Sequence, residues 1–197
     1  MILPDGRVES CGNFHGAPLG FVCDFLAIAS SELSAISERR TDRLLDAHRS
    51  HGLPPFLAPD AGVDSGLMIA HYTQAAMAMD NQRLAVPAST QSLPTSAMQE
   101  DHVSNGWAAA RKLRRSVDNL RRVLAVELVC AAAALDLRAP LRPASGTGAA
   151  LTVLRQDVAG PGRDRWLSPD LRAAERRLAD GSVLAAVESA IGPLEVL

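Results

Sequence analysis

The sequence predicts an all-α protein built as a long-helix bundle. Apolar residues recur with helical spacing over three long stretches, and the alternation of β-branched and polar residues that is typical of strands is nearly absent. With 197 residues, of which 47% are hydrophobic, the chain is also long enough to bury one substantial core. We therefore expect three long helices, followed by three short ones.

The first long helix is predicted to begin near Pro18, because proline suits the first turn of a helix, and to continue to about position 48. The residues before it, through Val8, are expected to be irregular or extended. The segment 52–65 must be an irregular loop, since two consecutive prolines cannot donate backbone hydrogen bonds. The second long helix is expected from about Gly66 to Leu84.

The third long helix is predicted over roughly Trp107 to Leu135. Its first half is charged and its second half is almost continuously apolar, which indicates that the second half is enclosed on all sides at the centre of a bundle. The chain offers only two other long helices to enclose it. We therefore expect additional helices from elsewhere, either through oligomerisation or because the chain is one piece of a larger assembly.

Residues 138–150 resemble a linker, and three short helices are expected around 148–156, 169–179 and 182–190. The predicted division is a core with the long helices and functional loops at 1–137, and a helical tail at 138–197.

Charge and composition exclude several classes of partner. The net charge is −2, and no run of Lys or Arg would bind nucleic acid or an anionic membrane surface. The opening residues lack the pattern of a signal peptide, and the most apolar window, 123–137, is too short to cross a bilayer and contains Glu127. Three widely spaced cysteines favour reduced thiols and a cytoplasmic location. His48 and His51 lack a third ligand, so no metal site is expected.

Two polar clusters interrupt this apolar sequence, "GNFHG" at 12–16 and "AMQEDHVS" at 97–104. One explanation for the second cluster is purely structural. Ser96 or Ser104 would cap a helix, and the acidic residues would complement its dipole.

A second explanation comes from the surrounding segments. "SERR", "GLPPFL", "SGLMIA", "PAS", "SLPTSA" and "QEDHVS" follow one another in an order and spacing that resemble the histidine ammonia-lyase family, within the wider aromatic amino acid lyases and aminomutases. The resemblance covers essentially the whole chain. It implies an all-helical fold, and an enzyme that eliminates ammonia from an α-amino acid and is usually a homotetramer, with active sites assembled from several subunits.

The resemblance also implies a cofactor, 4-methylidene-imidazol-5-one (MIO), which the family builds from its own Ala-Ser-Gly backbone. The chain resembles the C-terminal half of a lyase, so MIO is expected from a missing N-terminal segment. Ala144, Ser145 and Gly146 do spell the triplet, but they lack the family's preceding glycines and following Asp-Leu. We interpret this triplet as coincidental and expect no cofactor-binding residue within the chain.

By the same resemblance, Phe14 and Glu100 are the candidate catalytic residues. Phe14 corresponds to an active-site aromatic that packs near the electrophile and the substrate. Glu100 stands where phenylalanine- and tyrosine-type relatives carry an amide, which favours histidine as the substrate. A partly buried carboxylate can pair with an imidazole or ammonium group and exchange a proton with it, whereas an amide can only hydrogen-bond.

Gln99, Asn13 and His15 are the candidate substrate-binding residues. Ordinary loop capping is an equal alternative for Gln99 and Asn13, and a structural place within its motif is the alternative for His15. Tyr72 is expected to be a packed helix residue with one polar end.

Two departures from the family pattern lie close to Glu100, since relatives usually have Asn in place of Met98 and Met in place of Asn105. Three functions remain open. The first is the C-terminal subunit or fragment of a histidine ammonia-lyase-like enzyme, which converts L-histidine to urocanate and ammonia only with an N-terminal partner and is inactive alone. The second is a lyase or aminomutase for another aromatic amino acid, and the third is a catalytically silent truncated helical module.

Overall fold

A computed structural model describes residues 1–11 and 14–195, and these residues confirm the all-α prediction. Within the described ranges, extended pairing is limited to isolated bridges such as the one between Ile2 and Val8. The helices are α1 (Ala17–Leu45), α2 (Met68–Leu84), α3 (Gly106–Asp136), α4 (Ser145–Leu154), α5 (Ser168–Ala179) and α6 (Ser182–Ile191).

The helix boundaries differ from the predicted ones by a few residues. Helix α1 ends at Leu45 because Asp46 has an extended backbone, and the Asp46 carboxylate accepts a hydrogen bond from the backbone N–H of His48. Helix α4 begins at Ser145, three positions before the predicted start, so the expected linker is shorter than its composition indicates.

The three long helices pack together with a fixed relative direction. Residues of α1 contact residues of α3 that lie 86 to 90 positions later, as when Ser30 Oγ donates to the carbonyl of Ser116 and Ser37 Oγ donates to Glu127. A constant sequence offset means that α1 and α3 run parallel. Helix α2 runs antiparallel to α1, since Asn81 meets Ser34 whereas the earlier Gln74 meets Ser37.

Buried polar side chains hold these three helices together, and we call this set the polar seam. Asn81 Nδ2 donates to Ser34 Oγ at 2.8 Å, and Gln74 Nε2 donates to the carbonyl of Val123 at 2.9 Å. Each buried bond contributes about 1 kcal/mol, and removing one partner costs more because the other is left unsatisfied. The seam comprises Ser30, Ser34, Ser37 and Thr41 of α1, Gln74 and Asn81 of α2, and Ser116 and Asn119 of α3.

Helix α1 therefore has its polar side inside and its apolar side outside. Leu19 is 72% exposed and Phe25 is 71% exposed. The helix is long and apolar enough to cross a membrane, with a mean hydropathy of 1.6 over an 18-residue window of which 28% is buried. We call its exposed apolar side chains the outer face of α1: Leu19, Phe21, Val22, Phe25, Leu26, Ile28, Leu33 and Ile36.

Much of the apolar second half of α3 is buried by neighbours from the same chain, although Leu124, Leu128 and Leu135 stay partly exposed. Val123, Val126 and Cys130 are each no more than 1% exposed, among residues of α1, α2 and α5. The expectation of additional helices from elsewhere stays a prediction, and a larger uncovered apolar surface lies on α1. Burial, with the nearby Glu127 carboxylate, raises the pKa of the Cys130 thiol to about 12, so this thiol stays protonated.

The tail helices pack on the long ones without forming a separate core. Leu154 at the end of α4 and Ala174 of α5 belong to the same buried cluster as Val126 and Val129 of α3. Arg155 reaches back to Asp136 at 2.7 Å. The division at residue 137 stays a prediction.

Asp24 anchors the N-terminal half of α1 to two other parts of the chain. It is 3% exposed, forms an ion pair with Lys112 of α3, and accepts hydrogen bonds from the backbone and hydroxyl of Ser89 at 2.8 and 2.6 Å. Burial alone would raise the pKa of the Asp24 carboxyl. The ion pair with Lys112 and the hydrogen bonds from Ser89 outweigh burial, and together they lower this pKa from 3.8 to about 2. The folded state therefore stabilises the ionised carboxylate.

Asp24→Asn keeps the shape of the side chain and removes its charge, so Lys112 is left buried without its counter-ion. We expect the free energy of unfolding at pH 7 to fall by about 3 kcal/mol, measured by urea denaturation. A carboxyl group whose pKa is lower in the folded state than in the unfolded state stabilises the fold at pH values above its unfolded pKa. This stabilisation is lost as the pH falls through the folded pKa. The difference between wild type and variant should therefore shrink by about 2 kcal/mol between pH 4 and pH 2.

Asp60→Asn is the matched control, because Asp60 is exposed and undergoes the same chemical change. Its unfolding free energy should stay within about 0.5 kcal/mol of wild type. Equal losses in the two variants at pH 7 would contradict the role given to Asp24.

Candidate active site

The described parts of the two polar clusters, residues 14–16 and 97–104, come together in the folded chain. Residues of both parts line one open cleft of about 520 Å³ at the end of the bundle where α1 and α3 both begin. The parallel direction of α1 and α3 explains this meeting, because each cluster immediately precedes one of the two helices. The lining residues are Phe14, His15, Gln99, Glu100, Asp101 and His102.

Glycines allow the two helix starts to approach each other closely. A Cβ atom on Gly106 would lie 2.9 Å from the carbonyl oxygen of Gly16, and one on Gly20 would lie 3.4 Å from the Cα of Gly106. Ser104 Oγ accepts a hydrogen bond from the backbone N–H of Gly106 at 3.4 Å. Any larger residue at position 106 would push the two clusters apart.

Glu100 is presented by a turn with an unusual backbone. Its backbone N–H and carbonyl both bond to Thr95, at 3.2 and 2.9 Å, and so close the turn. Inside it Ser96, Ala97 and Met98 have φ angles of 53°, 52° and 73°. The left-handed region is unfavourable for residues with a Cβ atom, so the turn stores strain beside Glu100. Asn tolerates this region better than Met, which gives a physical reason for the residue expected at position 98.

Asn105, the other departure near this site, occupies a position that suits it. Its φ angle is 51°, immediately before α3, and its side-chain nitrogen donates to the carbonyl of Gln91 at 2.7 Å. Ser92 Oγ donates to the carbonyl of Val103 at 2.7 Å. These two bonds fasten the strand-like segment before the turn to the segment after it.

His15 connects the two clusters directly. Its Nε2 lies 2.7 Å from the backbone carbonyl of His102, and its Nδ1 accepts a hydrogen bond from the backbone N–H of Ala17 at 3.3 Å. The rings of His15 and His102 are 5.2 Å apart, and the ring of Phe14 lies edge-on to His15 at 6.3 Å. Both ring nitrogens of His15 therefore have partners within the chain.

The candidate catalytic side chains are open to solvent. Phe14 is 80% exposed, and Gln99 and Glu100 are also exposed. The partial burial that was expected for Glu100 does not occur within these residues. A carboxylate surrounded by water interacts weakly with a cation, so Glu100 in this position would hold a charged ligand only weakly.

The remaining predicted residues have varied positions. Asn13 lies outside the described residues. Tyr72 is 68% exposed on α2 rather than packed as expected. Across residues 1–11 and 14–195, which include His48 and His51, the side chains of His, Cys, Asp and Glu form no group of three or more that could hold a metal ion.

The triplet at 144–146 forms the start of a helix. The carbonyl of Ala144 accepts a hydrogen bond from the backbone N–H of Gly148 at 2.8 Å, which is the first helical bond of α4. Gly146 packs against α6, where an added Cβ would lie 3.2 Å from Ile191. The backbone here is that of an ordinary helix start.

Sequence reasoning missed two features. One is the pairing of His71 Nε2 with the carboxylate of Glu38 at 2.6 Å. Burial opposes ionisation of the Glu38 carboxyl, but Arg39 and His71 favour it more strongly, so the pKa of Glu38 is lowered. The other is a cleft of about 790 Å³ between α2, α3 and α5, beside the exposed Trp166. No pattern in the neighbouring sequence predicts either feature, because each depends on how separate helices pack.

The fold and this cleft define an all-helical protein whose two loop clusters meet at the start of two parallel helices. The model of the aromatic amino acid lyase family matches residues 2–156, and the chain belongs to that family.

The similar proteins are much longer than this chain. The histidine ammonia-lyase of Streptomyces avermitilis is 63% identical over 195 residues, which cover 98% of this chain and 38% of that protein. The crystal structure of histidine ammonia-lyase from Trypanosoma cruzi is 39% identical with a TM-score of 0.90, over 96% of this chain and 38% of that one. Tyrosine aminomutase from Streptomyces globisporus is 34% identical with a TM-score of 0.89, over 95% and 36% of the two chains.

Gly106→Ala should separate the two helix starts, because its Cβ would collide with the Gly16 carbonyl oxygen. We expect the free energy of unfolding to fall by about 1–3 kcal/mol, the usual cost of overpacking, measured by thermal or urea denaturation.

Gly148→Ala is the matched control. Gly148 lies within α4, and an added Cβ would meet only Pro143 at 3.6 Å, an ordinary contact. Alanine is a better helix former than glycine, so this variant should gain up to about 1 kcal/mol. A stable Gly106→Ala variant would refute the close contact of α1 and α3.

Proposed function

We propose that this chain is the C-terminal part of a histidine ammonia-lyase-like enzyme, and that it works only when assembled with the N-terminal part of a lyase. Such an enzyme converts L-histidine to urocanate and ammonia. The observation that carries the proposal is the open cleft, in which Phe14, Gln99 and Glu100 converge but remain exposed to water. One wall of a small-molecule site is present, and other polypeptide must provide the rest.

The outer face of α1 supports the need for assembly. Its eight large apolar side chains are all at least 45% exposed, which is more than the scattered apolar exposure of an ordinary monomer. The opposite side of α1 is occupied by the polar seam, so the helix cannot turn its apolar side inward without breaking buried hydrogen bonds. In this proposal the outer face contacts other lyase helices in a cytoplasmic oligomer, of which a homotetramer is the family's usual form.

Glu100 supports histidine as the substrate. Its carboxylate can pair with the imidazole or the ammonium group of the amino acid, and it can transfer a proton once the cleft is covered and water is excluded. Phe14 offers an aromatic face next to it, against which a planar imidazole can pack. Gln99 is the neighbouring hydrogen-bonding group. The roles of these residues, and that of Asn13, stay predictions.

MIO, when present in such an enzyme, supplies the electrophile that activates the amino acid for loss of ammonia. The 144–146 triplet does not fit this group. The carbonyl of Ala144 is engaged in the first bond of α4, and cyclisation would require the nitrogen of Gly146 to bond to the carbon of that same carbonyl. We therefore assign the electrophile to the N-terminal part and give this chain the tasks of binding, orienting and exchanging protons.

A second candidate is an aminomutase or lyase for another aromatic amino acid. The tyrosine aminomutase from Streptomyces globisporus has nearly the same TM-score to this chain as the Trypanosoma cruzi histidine ammonia-lyase. Met98, where relatives usually have Asn, is also the immediate neighbour of Gln99, which lines the cleft. Histidine, tyrosine and phenylalanine offered to the same assembled enzyme would separate these candidates.

Co-expression tests the proposal directly. We expect the purified 197-residue chain to show no turnover of histidine, and its co-expression with an N-terminal lyase segment that carries the Ala-Ser-Gly triplet to restore it. The measurement is the ultraviolet absorbance of urocanate. Turnover by the chain alone would overturn the assignment of the electrophile to the N-terminal part. Failure to form a complex with the N-terminal segment would overturn the proposal and favour a catalytically silent helical module.

Glu100→Gln tests the role of the carboxylate in the assembled enzyme. The amide retains hydrogen bonding but cannot exchange a proton, so kcat for histidine should fall by about 10²-fold or more, while KM changes by less than about threefold. Glu195→Gln, an exposed site near the end of the chain, is the matched control and should leave both constants unchanged. An unchanged kcat in Glu100→Gln would remove Glu100 from its role.

A further inference from the structure

We infer that His15 is a positioning residue, which fastens the turn carrying Glu100 to the segment carrying Phe14 through one defined tautomer of its ring. The inference concerns the cleft of the proposed function and rests on that proposal for its effect on turnover. Its structural part stands on the hydrogen bonds of His15 alone.

The two hydrogen bonds of His15 determine where its proton lies. A backbone N–H can only donate, so the Nδ1 atom that faces the N–H of Ala17 must carry a lone pair. A backbone carbonyl can only accept, so the Nε2 atom 2.7 Å from the carbonyl of His102 must carry the hydrogen. Only the neutral ring with its hydrogen on Nε2 satisfies both partners. The opposite tautomer would break both bonds.

In this tautomer His15 links the start of α1 to the segment that carries Glu100. Among the hydrogen bonds described above, no other side chain of the cleft makes this link. Ala17 is the first residue of α1, and His102 lies two residues after Glu100. The bond to His102 spans 87 positions of sequence and lies between the two segments that line the cleft. It therefore sets the distance between the wall that Phe14 forms and the wall that Glu100 forms.

The surroundings of His15 are suited to this role. Glu100 and Asp101 line the same cleft, and the ring of His15 lies 5.2 Å from the ring of His102 and 6.3 Å from the ring of Phe14. His15 is partly buried, whereas Phe14, Glu100 and His102 are exposed. With both ring nitrogens engaged by the chain, His15 fits the alternative of a structural place within its motif, and its expected role in substrate binding stays a prediction.

The strain of the Glu100 turn explains why such a fastening is needed. Three successive residues of the turn have left-handed backbones, a conformation that an unrestrained loop abandons easily. The bonds between Thr95 and Glu100 close the turn on itself, but they do not fix it relative to α1. The bond from His15 to His102 supplies that fixed point.

The tautomer can be measured on the full 197-residue chain without any variant. Long-range proton–nitrogen correlation NMR distinguishes a ring nitrogen that carries hydrogen from one that does not. We expect His15 to show a single tautomer with hydrogen on Nε2 at pH 8. Hydrogen on Nδ1, or a mixture of tautomers, would overturn the inference, and this result does not depend on any enzymatic activity.

Hydrogen exchange tests whether the bond fastens the turn. In His15→Ala the backbone N–H groups of Thr95 and Glu100 should exchange at least about fivefold faster, the effect of losing a bond of ordinary strength. His15→Gln can still donate to the carbonyl of His102 and should restore most of the protection. Unchanged exchange in His15→Ala would overturn the inference. If that variant does not fold, the tautomer measurement decides.

His102→Ala is the matched control, because it removes the ring contact but keeps the backbone carbonyl that accepts the bond. Its turn should exchange within about twofold of wild type. If His102→Ala loosens the turn as much as His15→Ala does, ring contact rather than the hydrogen bond holds it, and the inference fails.

The assembled enzyme provides the functional measurement. His15→Ala should lower kcat for histidine about tenfold or more with little change in KM, and His15→Gln should recover most of it, because misplacing Glu100 harms the reaction step more than binding. Equal kcat in wild type and His15→Ala would overturn the inference. Absence of turnover with the wild-type chain would count against the proposed function only, since NMR and exchange still decide the role of His15.

Discussion

The polar seam between α1, α2 and α3 is the constraint on which the rest of the structure depends. Hydroxyl and amide side chains such as Ser34, Gln74 and Asn81 find their partners only in one arrangement of the three helices. Buried polar groups tolerate little displacement, because an unsatisfied one costs more than a lost apolar contact of similar size. The seam therefore fixes α1 parallel to α3, and it also decides which side of α1 faces out.

The parallel direction of α1 and α3 determines where the two polar clusters meet. Two helices that begin at the same end bring the segments before them into contact, although these segments are almost ninety positions apart. Their N-termini also direct two positive dipole ends toward that region, which favours negatively charged groups there. The glycines at positions 16, 20 and 106 make the approach close enough for His15 to reach the backbone of His102.

Much of this organisation could be predicted from the sequence. The helical spacing of apolar residues and the positions of prolines predicted all six helices to within a few residues, and short motifs predicted the two polar clusters. The inside and outside of α1 could not be predicted in this way, because Phe25 would be assigned to the core and Ser34 to the surface by hydrophobicity alone. The left-handed turn at 96–98 carries no glycine to signal it, and the exposure of Glu100 depends on how this turn packs, which no local pattern records.

The reversed polarity of α1 has a consequence for the supply of this protein in a cell. In the assembly proposed above, a copy made in excess of its companions would display a row of Phe, Leu and Ile side chains, the kind of surface that chaperones and proteases recognise. Surplus copies would then be removed while accompanied copies persist. The working quantity of the chain would thus be set by whichever companion is scarcest, and balanced synthesis would matter more for it than for a protein whose apolar residues are all enclosed.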